Sequence, residues 1–198
     1  MPKETWESDE FGRSHEGRVG VLLEDRSVPE PVYIDSVSGG FGHRSTFWAH
    51  YNGHPLSGPR AHVLRAVCAC GWTGTEYPMD WERIGETALY EDEAVRTHAD
   101  NCLDDWYRHL DDVEASTVAY PEDVNELLKK TDEALDALTS DAPAAALKAA
   151  VRLEILANSI GYHAANSAYR TMESEELGTA LGITARAAED LLFRYRRR

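Results

Sequence analysis

Cys68 and Cys70 lie one residue apart in Val67-Cys68-Ala69-Cys70-Gly71-Trp72, and Cys102 is the only other cysteine of the chain. Two thiols in so tight a turn can face one point, and Gly71, lacking a Cβ, permits the positive φ that closes the turn. Cys102 ends Thr97-His98-Ala99-Asp100-Asn101-Cys102, so His98 and Cys102 are four apart and share one face of a helix. Cys68, Cys70, His98 and Cys102 then supply four nitrogen and sulfur ligands, the closed tetrahedral set of a structural zinc. His109, in Asp105-Trp106-Tyr107-Arg108-His109, is the alternative helix ligand. It follows Cys102 by seven residues, about 10 Å along a helix axis, so the two cannot bind one ion. The helix therefore offers His98 with Cys102, or His109 with another group, and spacing favours the first. The alternative to a metal site is three buried, reduced cysteines packing as small hydrophobes.

The remaining candidates for chemistry form no constellation. His43, His50, His54 and His62 are scattered between short apolar runs, without a Gly-x-Ser-x-Gly elbow, a phosphate-cradling Gly-rich loop with lysine, or a His-Glu-x-x-His pair. An enzyme is not expected. An odd number of cysteines, an N-terminus without a basic-then-apolar pattern and no apolar run of membrane-spanning length point to a cytoplasmic protein with reduced thiols.

The cysteine turn needs strands to carry it and a helix to meet it. Runs rich in β-branched and aromatic residues occur at Val19–Leu23, Val32–Val37, Thr46–Tyr51, His62–Cys68 and Trp72–Tyr77, punctuated by Pro29, Gly39-Gly40, Gly53 and Gly58-Pro59. These predict an antiparallel sheet of five strands, preceded by a polar, acidic, flexible tail over residues 1–17. Val95, Cys102, Trp106 and His109 recur at spacings of seven, four and three, predicting an amphipathic helix from Glu91 to Val113. The β-rich, zinc-binding domain is thus expected over residues 18–115. A helical hairpin is expected over 120–170. Pro121 opens its first helix, and Val124, Leu128, Thr131, Leu135 and Leu138 form a seam stepping by four and three. A short link through Pro143 leads to an alanine-rich helix from Ala144 to Tyr169, and the seam can close within the chain or hold a homodimer.

Residues 171–198 have the layout of a helix-turn-helix. Ser174 is expected to cap a short helix with Leu177 and Leu181 inward, Gly182 turns the chain, Ile183 plugs the corner, and Thr184 caps a second helix with Ala188, Leu191 and Leu192 inward. Glu176-Leu177-Gly178 through Leu181-Gly182-Ile183-Thr184 resembles the DNA-binding region 4 of sigma factors and related bacterial regulators. The resemblance implies a recognition helix in the major groove of double-stranded DNA, with Thr184 and Arg186 near base edges and Arg194, Arg196, Arg197 and Arg198 on phosphates. From Pro59 onward the order of Cys-x-Cys-Gly-Trp, acidic Trp-x-x-His helix and helix-turn-helix also resembles a group of uncharacterised actinobacterial proteins. That likeness implies His109, at the Trp-x-x-His position, as the helix histidine.

Charge divides along the chain. The 198 residues carry a formal net charge of -15, yet residues 81–141 hold 5 basic against 18 acidic groups while residues 142–198 hold 8 against 6. An acidic surface repels phosphate, so a general nucleic-acid coat is excluded and any DNA contact belongs to the C-terminal end. The expectation is therefore an α+β protein: a small antiparallel β domain with a zinc-finger-like hairpin and helix, then a helical hairpin and a helix-turn-helix. Its expected role is sequence-specific DNA binding in transcriptional control, at the nucleoid within the cytoplasm. The alternative is an interaction scaffold in which zinc and helix-turn-helix are structural and acidic residues 82–141 dock a basic protein partner.

Overall fold

A computed structural model describes residues 5–34, 42–55 and 57–197. The architecture is α+β, with two compact units, Met1–Glu114 and Ala115–Arg198. In the first unit, strands β1 (Trp6–Ser8), β2 (Gly12–Leu22), β5 (Val63–Cys68) and β6 (Thr73–Pro78) form an antiparallel sheet in the order β1-β2-β5-β6. A separate two-stranded ribbon pairs β3 (Val32–Ile34) with β4 (His43–Ser45). The single turn α1 (Trp81–Ile84) precedes the long helix α2 (Glu93–Ser116).

Two sequence expectations change here. Residues 6–8 and 12–17, read as part of a flexible tail, are paired strand: Trp6 faces Gly17 in register, and Gly17 faces Cys68. The segment is polar on average but alternates, with His15, Gly17, Val19 and Val21 buried and Glu16 and Arg18 between them. Period two, rather than mean hydropathy, decides which side chains a strand buries. Thr46–Tyr51, expected as a strand, contains a 3-10 turn at Trp48–His50 instead. Local bonds win there. The amides of His50 and Tyr51 donate three residues back, to the carbonyls of Phe47 and Trp48, and Phe47 N–H donates to Ser45 Oγ at 3.0 Å. Of the five expected strands, β2, β5 and β6 lie in the four-stranded sheet, where β1 is the unexpected fourth, and Val32–Ile34 pairs in the separate ribbon. The expected strand Val32–Val37 is seen to Ile34, and its remainder lies outside the described residues.

The core lies between the sheet and α2. Val19, Val21, Leu64, Ala66, Val95, Cys102 and Trp106 are buried in one cluster, with Trp6 stacked obliquely on Trp106 at 5.6 Å between ring centroids. Trp106 is fixed at its polar end as well, because its Nε1–H donates to the His15 carbonyl at 3.0 Å. Gly17 makes room for this indole: a Cβ at residue 17 would overlap the Trp106 ring. The start of α2 is held by Asp92, whose carboxylate accepts from Val95 N–H at 3.0 Å and forms a two-pronged ion pair with Arg83 at 2.7 Å on each prong.

The second unit holds four helices: α3 (Glu122–Asp141), α4 (Pro143–Thr171), α5 (Ser174–Leu181) and α6 (Ala185–Arg196). Between α5 and α6 the chain reverses at Gly182, in the left-handed conformation at φ 65° and ψ 29°. Its N–H donates to the carbonyl of Thr179, and Ile183 N–H to that of Gly178. Thr184 caps α6, its hydroxyl accepting from Ala187 N–H at 3.2 Å. Ser174 does not cap α5 as expected. It is the first helical residue, and Glu173 occupies the cap without a side-chain bond. No described helix is long and apolar enough to cross a membrane.

Candidate metal centre

Four side chains converge where β2, the β5–β6 turn and α2 meet. His15, Cys68, Cys70 and His109 present one ligand atom each, all within 4.8 Å of one another, close enough to hold a metal ion. His15 Nδ1 is 3.3 Å from His109 Nε2 and 3.5 Å from Cys68 Sγ, and Cys70 Sγ is 3.3 Å from His109 Nε2. Cys68, His15 and His109 are buried and Cys70 is half-buried.

Each ligand is placed by a local feature. His15 lies on the inward face of β2, two residues before Gly17, whose register partner is Cys68. The cysteine turn closes when Gly71 N–H donates to Cys68 carbonyl and Cys68 N–H to Trp72 carbonyl, both at 2.9 Å, with Gly71 at φ 96°. That positive φ brings Cys70 Sγ back within 3.5 Å of Trp72 N–H. His109 is on the inward stripe of α2 three residues after Trp106, and its ring stacks on Trp72 at 4.3 Å, 3° from parallel. Asp105, also buried, ties α2 to β6 alongside: it accepts from Thr75 N–H and Tyr77 O–H at 3.0 Å each, and Arg108 pairs with its other oxygen.

The thiols differ. A hydrogen bond from Cys68, then the Trp72 amide and His109 working against burial, bring the Cys70 thiol down to about 5; the same bond, reinforced by burial, pushes the Cys68 thiol up. Cys70 is thus the more acidic thiol of the pair, and a thiolate is the form that binds metal.

The quartet differs from the one that spacing favoured. Cys68 and Cys70 meet as expected, and the helix ligand beside them is the alternative, His109. Cys102 and His98 do not join them: among the described residues this is the only cluster of metal-ligating type, and it contains neither. Cys102 is fully buried in the apolar core, where burial raises its thiol to about 12. His98 stacks on Tyr77 at 5.5 Å, and its buried Nδ1 has no hydrogen-bond partner. The reason is axial distance: on nearly the same face of α2, His98 precedes His109 by eleven residues, about 16 Å along the axis, and Cys102 precedes it by seven, about 10 Å. His15, the fourth member of the cluster, lies in a segment whose composition reads as a tail, although its alternation with Gly17 and Val19 continues the β2 pattern.

The C-terminal candidates are spread along α6. Arg186 is exposed in its first turn. Thr184 is exposed but engaged in its cap. Arg194 lies over Tyr195 at 4.8 Å and Arg197 over Phe193 at 4.7 Å, both remaining exposed. Arg196 instead packs across α4, 3.5 Å over the Tyr169 ring with its Nε 3.4 Å from Asn166 Oδ1. Arg198 lies outside the described residues. No protein-family model, no curated protein and no solved structure matches the chain.

Proposed function

We propose that the chain is a sequence-specific DNA-binding protein of transcriptional control, in which α5 and α6 act as a helix-turn-helix and a structural zinc staples the β-rich unit. The observation that carries the DNA reading is the α5–α6 corner: a left-handed Gly182, an Ile183 amide returned to Gly178, and a capped α6 that starts with an exposed Arg186. Such a corner projects the first turn of the second helix, the part that reads base edges in this motif. Arg186 suits a paired contact to guanine, and Arg194 and Arg197 suit phosphates. Arg196, exposed although its guanidinium lies over Tyr169, suits a phosphate as well.

Zinc suits the cluster by distance and donor type. Bonds of about 2.3 Å to sulfur and about 2.0 Å to nitrogen, at tetrahedral angles, space N and N about 3.3 Å apart and N and S about 3.5 Å apart. The His15–His109 and His15–Cys68 separations of 3.3 and 3.5 Å match those values, and Cys70–His109, at 3.3 Å, is about 0.2 Å shorter. With four protein ligands the ion has no open position for catalysis, so its role is to lock β2, the cysteine turn and α2 together.

The test of the DNA reading is selection of the full-length protein on a pool of genomic fragments at near-physiological salt, with Arg186→Ala in parallel. A recurrent sequence recovered by the native chain and lost by the variant is expected. Equal recovery by both, or no recurrent sequence, overturns the reading. Exposed Glu189 and Asp190 on α6 favour the second reading, a scaffold that docks on protein. That reading expects a nuclease-resistant protein partner and no selected DNA.

A further inference from the structure

The α3–α4 hairpin leaves its seam uncovered. Of the 49 residues in the two helices, 20 in α3 and 29 in α4, Ala165 is the only one buried. Near the connection the seam is partly closed, with Leu135, Leu138, Ala146 and Ala149 half-buried. Away from it the same stripe opens. Leu153, Leu156 and Ile160 follow Ala149 by four, seven and eleven residues, and Val124, Leu127 and Leu128 sit at the other helix's far end; all six are between 38% and 63% exposed. Two helices side by side cover only one flank of each seam residue, so an apolar stripe of this length calls for a second layer.

We propose that a second copy of this chain supplies that layer, pairing hairpin on hairpin in a four-helix arrangement with twofold symmetry. Two observations select a second copy over a different protein. The first is charge. Helix α3 carries seven acidic residues against Lys129 and Lys130, whereas α4 carries Lys148, Arg152 and Arg170 against Glu154 alone. A twofold pairing that sets α3 of each copy beside α4 of the other makes the hairpin complementary to itself. The second is size. Two helices each about 10 Å across, the shorter of 20 residues and about 30 Å long, present a face of roughly 600 Å², near the roughly 800 Å² that each partner contributes to a standard interface.

The inference goes beyond the DNA reading and stands without it, because its test contains no DNA. Sedimentation of the full-length protein across a micromolar concentration series is expected to give twice the chain mass of 22.1 kDa. Leu156→Glu, on the seam, is expected to return it to a single chain, while Leu147→Glu, on a different face of α4, leaves the dimer intact. Hydrogen exchange on the native protein supplies a readout that needs no variant: protection in α3 and α4 falls on dilution through dissociation. A native protein that sediments as a single chain, as it would if another protein covers the seam, overturns the proposal. So does a dimer that survives Leu156→Glu but is broken by Leu147→Glu, or one whose dilution changes exchange outside α3 and α4.

Discussion

At the scale of single residues, the metal centre turns on which side chains a strand and a helix aim at one point. His15, Cys68, Cys70 and His109 meet, and His98 and Cys102 lie along the same elements without meeting them. The ligand assignment therefore predicts opposite outcomes for neighbouring residues. His15→Ala and Cys70→Ser are expected to abolish stoichiometric zinc in the purified protein by elemental analysis, whereas His98→Ala and Cys102→Ala retain it. Cys102→Ala should still cost about 1 kcal/mol in denaturant unfolding, since it empties a buried position. Gly17 has a role of the same kind. A side chain there drives into the Trp106 indole, so Gly17→Val is expected to destabilise the fold by about 1–3 kcal/mol, while Gly71→Ala acts through φ rather than through a clash.

At the scale of elements, helix ends are where backbone bonding demands are met by identifiable side chains. Asp92 caps α2 while paired with Arg83, and the guanidinium holds its carboxyl down at about 2. A carboxyl whose folded value lies below its unfolded value of about 3.9 lends stability above that value and loses it as pH falls toward 2. Acid unfolding of the wild type should therefore steepen between about pH 4 and pH 2, and Asp92→Asn should flatten that part of the profile. The α5–α6 corner offers a parallel test in the second unit. Replacing Gly182 by Ala forces a Cβ into the left-handed region, and Thr184→Ala removes the α6 cap. Each is expected to cost about 1 kcal/mol in thermal unfolding of the helical signal.

At the scale of the whole molecule, the two units have different sources of stability. The first has a sheet, a packed indole and the His/Cys cluster; in the second, α3 and α4 bury a single residue between them. Chelation is therefore expected to lower the melting temperature of the near-ultraviolet signal of the five tryptophans, all of which lie in the first unit, while most far-ultraviolet helicity survives. A helical signal that collapses together with the tryptophan signal would contradict this. The charge distribution bears on function at the same scale. With a net charge of -15, the proposed DNA binding rests on a few cations near the C-terminus, so its affinity is expected to depend shallowly on salt, reflecting few phosphate contacts. Arg194→Ala with Arg197→Ala is expected to reduce that slope further, whereas Arg186→Ala changes selectivity more than slope.

What the sequence determined by itself was local. Apolar recurrence at three and four residues drew α2, α3 and α4 to within a few residues of their ends, Pro121 and Pro143 marked two starts, and Gly182 with Thr184 announced the α5–α6 corner, because helix periodicity, capping and left-handed turns depend on residues close in the chain. The cysteine turn was legible for the same reason. Which histidines join it was decided by tertiary structure. The partner on α2 depends on how that helix slides and rotates against the sheet, and His15 lies 53 residues before Cys68 in a strand whose polarity conceals its alternation. Register between β2 and β5 places His15 against the cysteine turn, and the packing of Trp6 on Trp106, with Gly17 leaving room for the indole, is a contact of that register between residues far apart in the chain.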